Sequence, residues 1–116
     1  MITRLPVIFF LLSCFTRPVF AEKDFRSGNY MLPHCKALVE SKAYGIWEGQ
    51  CGGTIDTLVW VGSSLPTRFC PPSPMPPSQP HRVVVGYLER HPEKLHEDFK
   101  GLAIEAMMEA WPCSKQ

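Results

Sequence analysis

Seven of the chain's twelve prolines fall between Ser63 and Pro80: Pro66, Pro71, Pro72, Pro74, Pro76, Pro77 and Pro80. Proline lacks the backbone N–H that helices and sheets need, and its ring clashes with the preceding helical turn. No regular helix or central strand tolerates that density. The segment therefore reads as a long, stiff loop, with Cys70 placed to tether its middle. Loops of this length in small domains are usually functional or disordered.

The N-terminus sets the compartment. Arg4 supplies a positive start, and Val7–Leu12 is an unbroken apolar run too short to span a bilayer. Val19-Phe20-Ala21 places a small residue at a cleavage point. Residues 1–21 read as a secretory signal peptide, with 22–116 as one exported domain. Leu11-Leu12-Ser13-Cys14 offers a competing lipobox, with Cys14 acylated. Leu12 fits that pattern poorly and the run before Cys14 is short, so cleavage after Ala21 is expected. A membrane anchor is disfavoured because no second apolar stretch follows, so no integral membrane segment is expected after cleavage.

Removing the signal leaves Cys35, Cys51, Cys70 and Cys113. An even count in a small exported domain reads as two disulfides. Zinc fails on spacing, since there is no Cys-x-x-Cys and no Cys/His pair at metal-ligand spacing. Four cysteines allow three pairings. The favoured one is Cys35–Cys51, joining two helices across a short connection, with Cys70–Cys113 tying the proline loop to the C-terminus. The first bridge contributes about 3 kcal/mol on the chain-entropy model.

Cleavage also removes Arg4 and Arg17 and no acid. The exported domain then carries 10 Lys+Arg against 11 Asp+Glu. No basic stripe or polybasic run remains, so nucleic acid and anionic membrane surfaces are poor partners.

Four helices are expected. The first starts near Asn29, capped by Ser27 or Asn29, with Pro33 tolerable only in the first turn and Gly45 as its stop. The second starts near Gln50, where Cys51, Ile55, Leu58, Val59 and Gly62 share one face. Gly52 and Gly53 lie in its first turns and cost about 1 kcal/mol each in helix propensity. Either the helix frays there, or another backbone approaches closely. The third runs from Pro77 or Ser78 to Arg90 and buries Val84, Val85, Tyr87 and Leu88. The fourth starts at Pro92, an N1-type proline, and carries Leu95, Phe99, Leu102, Ala106 and Ala110 on one face. The short His91-Pro92 joint makes the last two an αα-hairpin. The fold class is thus all-α, a small four-helix domain with two disulfides.

Catalytic constellations do not assemble. His91 and His96 do not share a helix face, and His34 and His81 have no sequence-adjacent Asp. Neither Ser63-Ser64 nor Ser73 sits in a Gly-x-Ser-x-Gly elbow. Gly52-Gly53 lacks the preceding strand and the Gly-Lys-Ser/Thr of a phosphate loop. The carboxylates of the last helix interleave with Arg90, Lys94 and Lys100, as on a solvated face. No catalytic, metal or cofactor-binding residue is expected, and binding is favoured over catalysis.

Four segments in order carry a resemblance: Gly28-Asn29-Tyr30-Met31-Leu32-x-x-Cys35, Cys51-Gly52-Gly53-Thr54-Ile55, Phe69-Cys70-Pro71, and Val84-Val85-x-Tyr87-Leu88-x-x-His91-Pro92-Glu93-x-Leu95-His96 running on to Trp111-Pro112-Cys113. Together with an export signal, this set resembles the Rap/Tai family of immunity proteins. The resemblance implies a periplasmic all-α domain, often a homodimer, that blocks a peptidoglycan-cleaving amidase effector of type VI secretion with a helix and a protruding loop. Two positions depart from the pattern. Pro76 stands where a capping Thr precedes Gln79, and Gly53 stands where an aromatic is common. The alternative function is an exported structural or adaptor module without a toxin partner; a small enzyme ranks last. The candidate partner-binding residues are Arg68, Phe69, Met75 and Gln79, in the loop and at the start of the third helix. Arginine and aromatic side chains are common interface anchors, and methionine adapts to irregular grooves. Phe69 could equally pack back on the core beside Cys70.

Overall fold

The structure is a computed structural model that describes residues 23–64 and 68–114; the expected signal peptide, Cys14 and the cleavage point lie outside them. Four α-helices follow one another: α1 (Gly28–Lys36), α2 (Ile46–Ser64), α3 (Ser78–Arg90) and α4 (Phe99–Ala110). No strand occurs among the described residues; Ser27 and Asp98 form an isolated bridge. Both expected disulfides are present, Cys35–Cys51 and Cys70–Cys113.

The starts of α1 and α4 are tied together. Ser27 caps α1 by accepting from the Tyr30 N–H, and Asp98 caps α4 by accepting from the Lys100 N–H. The Gly28 and Asn29 N–H groups donate to the carbonyls of Glu97 and Leu95, and Phe99 N–H donates to the Arg26 carbonyl. First-turn donors that helices leave unpaired are thereby satisfied by the neighbouring chain. Gly28 suits this close crossing: a Cβ there would stand 2.7 Å from Leu102 Cδ1 and 3.2 Å from the Leu95 carbonyl oxygen, so the neighbours would have to shift.

This pairing moves the start of the fourth helix. Pro92–Lys94 form one 3₁₀ turn, and α4 begins at Phe99 rather than at Pro92. Asp98 is extended (φ −62°, ψ 129°), and the Phe99 N–H that a continuous helix would direct to Leu95 goes to the Arg26 carbonyl instead. Leu95 is accordingly half-buried, while Phe99, Leu102 and Ala106 are buried as expected and Ala110 is exposed.

Three boundaries in the first half also differ. Pro33 lies in the interior of α1, beyond its first turn. α1 runs on as a π-helical stretch, Ala37–Ser41, and Lys42 ends it at φ 50°, where Gly45 was expected to stop it. The Lys42 and Ala43 N–H groups both reach back to the Ala37 carbonyl, which closes the end in the manner of a left-handed C-cap. α2 starts at Ile46, one turn before Gln50, so Gly52 and Gly53 sit well inside it and the helix does not fray there.

The core joins all four helices and the proline loop. Met31 and Cys35 of α1 meet Cys51 and Ile55 of α2, Val84, Val85, Tyr87 and Leu88 of α3, and Phe99, Leu102, Ala103, Ala106 and Met107 of α4. α3 occupies the expected range and buries the expected face.

Candidate partner-binding site

The connection between α2 and α3 is held at both ends of its described part. Cys70 is bridged to Cys113, and the Cys70 N–H donates to the Trp111 carbonyl at 2.8 Å. Phe69 is 5% exposed and belongs to the core. Its ring lies over Gly62, where any Cβ would collide with it. Phe69 is thus placed beneath the loop, as an anchor, and not at the surface as a contact residue. The physical reason is Gly62, which leaves on the buried face of α2 a gap that the aromatic ring fills.

The other candidates line the outer side. Arg68 is exposed, Met75 is half-buried, and Gln79 is half-buried in the first turn of α3. The Gln79 N–H donates to the Pro76 carbonyl at 3.0 Å. No side chain caps α3, in keeping with Pro76 standing where the family pattern has Thr. Pro80 is buried in the first turn, where a missing N–H costs nothing. Arg68, Met75 and Gln79 are therefore presented by a segment pinned by a disulfide, a buried ring and a helix start.

Beside this segment lies a groove of about 460 Å³ between Leu38, Lys42, Tyr44, Pro77, His81 and Arg82. His81 Nε2 and Asp56 Oδ1 are 2.8 Å apart and link α3 to α2. No sequence signal joins these two, because they are 25 residues apart on different helices. Around the α3–α4 joint, the Tyr87 hydroxyl donates to Glu105 Oε2 at 2.7 Å, and Lys94 Nζ donates to the same oxygen at 2.9 Å. Burial, then the Glu105 carboxylate, push the Tyr87 phenol up. The Tyr87 hydroxyl and the Lys94 ammonium hold the Glu105 carboxyl below its usual range, and Glu105 in turn raises Lys94. His91 Nδ1 lies 3.0 Å from Glu93 Oε1. These contacts lock the joint. Among the described residues no group of three or more His, Cys, Asp or Glu is arranged to hold a metal ion. No helix of the described residues is long and apolar enough to cross a membrane.

The family model of the Rap1a immunity proteins matches residues 27–113, and the chain belongs to that family. An immunity protein works by binding a cognate effector. The chain matches no curated protein and no solved structure.

Proposed function

We propose that the exported domain resides in the periplasm and neutralises a peptidoglycan-cleaving amidase effector of type VI secretion. The loop between α2 and α3, with the first turn of α3, plugs the amidase cleft and acts by obstruction, without chemistry. One observation carries this reading. A proline-rich segment is fixed by Cys70–Cys113 and by Phe69 over Gly62, and still leaves Arg68 exposed. A segment already ordered loses little conformational freedom on docking, so more of its contact energy becomes affinity. Arg68, Met75 and Gln79 make the contacts, and Phe69 supports them from below.

The test is co-purification of the exported protein with the products of genes adjacent to its own, followed by an assay of peptidoglycan cleavage. The reading expects a stoichiometric complex with a secreted amidase and loss of cleavage on binding. An adjacent amidase that neither binds nor is inhibited would overturn it, as would hydrolase activity in the purified domain itself.

A further inference from the structure

Lys42 is the one described residue whose backbone lies in the left-handed region, at φ 50°. Glycine holds that conformation without steric cost, and a residue with a side chain does not. A costly backbone that keeps its side chain points to a use for the side chain. Lys42 is exposed, and it lines the groove of about 460 Å³ beside the proline loop.

The groove is a formed feature of the packing. Its floor includes Leu38 and His81, and Gly52 of α2 lies against both. A Cβ at Gly52 would stand 3.1 Å from Leu38 Cδ2 and 3.7 Å from His81 Cε1. The glycine lets both side chains settle close to α2, which leaves space above them. The His81 ring is held by Asp56 at 2.8 Å. Tyr44 stands at the rim, 83% exposed. Pro77 forms part of the far wall, so the groove runs on from the segment that carries Met75 and Gln79.

The charges of the groove have one sign. No Asp or Glu is among the residues that line it. Lys36, Arg90, Lys94 and Lys100 each pair with a carboxylate of this chain. Lys42 and Arg82 make no such pair among the described residues, and both line the groove. The exported domain as a whole has slightly more acids than bases, so this concentration of cations is local. Two free cations over an apolar floor complement a carboxylate flanked by an apolar side chain. They are too few to follow a nucleic-acid backbone. Exposed aromatic and arginine side chains are common anchors for a protein partner.

We infer that this groove receives an acidic, partly apolar segment of the effector, with Lys42 and Arg82 holding its carboxylates and Tyr44 covering its apolar side chain. The inference rests on the proposed function for the source of the segment, and it extends the contact surface beyond the loop to the connection between α1 and α2.

Two measurements test it. The first titrates the exported, disulfide-bonded protein with a synthetic peptide of glutamates around one leucine, followed by NMR. Signals of Lys42, Tyr44 and Arg82 should shift, and the shifts should fade at high salt. The analogue with lysine in place of glutamate should leave them unmoved. No shift at these residues, or equal shifts with the lysine analogue, would overturn the inference. The second measures the Kd of the co-purifying amidase for the wild type and for Lys42→Gly/Arg82→Ala. The double variant should raise Kd about tenfold or more. Its thermal midpoint should hold or rise, because glycine suits the left-handed position and Arg82 is exposed. Arg82→Ala alone should raise Kd in the same direction. An amidase that binds wild type and variants alike would overturn the inference and leave the proposed inhibition standing. An amidase that does not bind the wild type would overturn the proposed function, and with it the effector as source of the segment.

Discussion

The two disulfides sit in contrasting surroundings. Cys35 and Cys51 are fully buried and part of the core, joining α1 to α2 over a separation of 16 residues. Cys70 and Cys113 are half-buried and tie a loop to the C-terminal segment over 43 residues. The first bridge is packing as much as cross-link. The second is mainly a tether, and what it tethers is the segment proposed to meet the effector. The framework is thus built by burial, while the segment proposed to make the contacts is built by restraint.

The largest effect belongs to the framework. Phe99 is 3% exposed at the start of α4, so Phe99→Ala should cost about 3–5 kcal/mol in denaturant unfolding. A loss below about 1 kcal/mol, the range of surface positions, would show that α4 buries a different face.

The bridges test the contrast itself. Chain entropy alone makes Cys70–Cys113 the more valuable bridge, because it closes the longer loop, by about 0.9 kcal/mol. Burial reverses the order, because replacing both core cysteines also leaves a cavity. The Cys35→Ala/Cys51→Ala pair should therefore lose more stability than Cys70→Ala/Cys113→Ala, with each pair inside about 2–5 kcal/mol. The opposite order would mean that both bridges act as tethers.

Gly62→Ala probes the link between the two regions. Its methyl must displace the Phe69 ring, so a loss of about 1–3 kcal/mol is expected, with faster amide exchange around Cys70. An unchanged thermal midpoint would show that the loop does not depend on that seat.

The joint between α3 and α4 gives the smallest effect, one that depends on pH. The Glu105 carboxyl is held below its ordinary 4.5, so its contribution is present above that value and fades as pH falls through the lower folded-state value. Tyr87 and Lys94 are held above their ordinary 10.0 and 10.5. Their contribution is present below pH 10 and fades as pH rises beyond it. Glu105→Gln should flatten both limbs of a stability–pH curve, most clearly at low salt because Lys94 and Glu105 are partly exposed. An unaltered curve would remove this network from the account.

Much of this framework is legible in the sequence, and the exceptions share a cause. α3 is punctuated by Pro77 and by His91-Pro92, so both its ends can be read locally. The buried faces of α2 and α4 follow from periodicity. The start of α4 could not be read, because it depends on Ser27 and Arg26 pairing with Asp98 and Phe99 from far along the chain. The first helix ends at Lys42 and not at Gly45, because a lysine takes the left-handed position that glycine favours. In the candidate site, Cys70 and the proline run mark the loop from sequence alone. The role of Phe69 does not emerge until Gly62 is seen beneath its ring. The His81–Asp56 and Tyr87–Glu105 contacts join residues on separate helices, where no local pattern points.

The central claim is that the restrained loop, and not the buried framework, carries recognition. The most direct measurement is the affinity of an Arg68→Ala/Met75→Ala double variant for the amidase that co-purifies with the wild type, read beside its thermal midpoint. Removing an exposed arginine anchor and its methionine neighbour should weaken binding about tenfold or more, with the midpoint almost unchanged. Unaltered affinity would contradict the claim and move the interface elsewhere, with the exposed charged face of α4 the next surface to test.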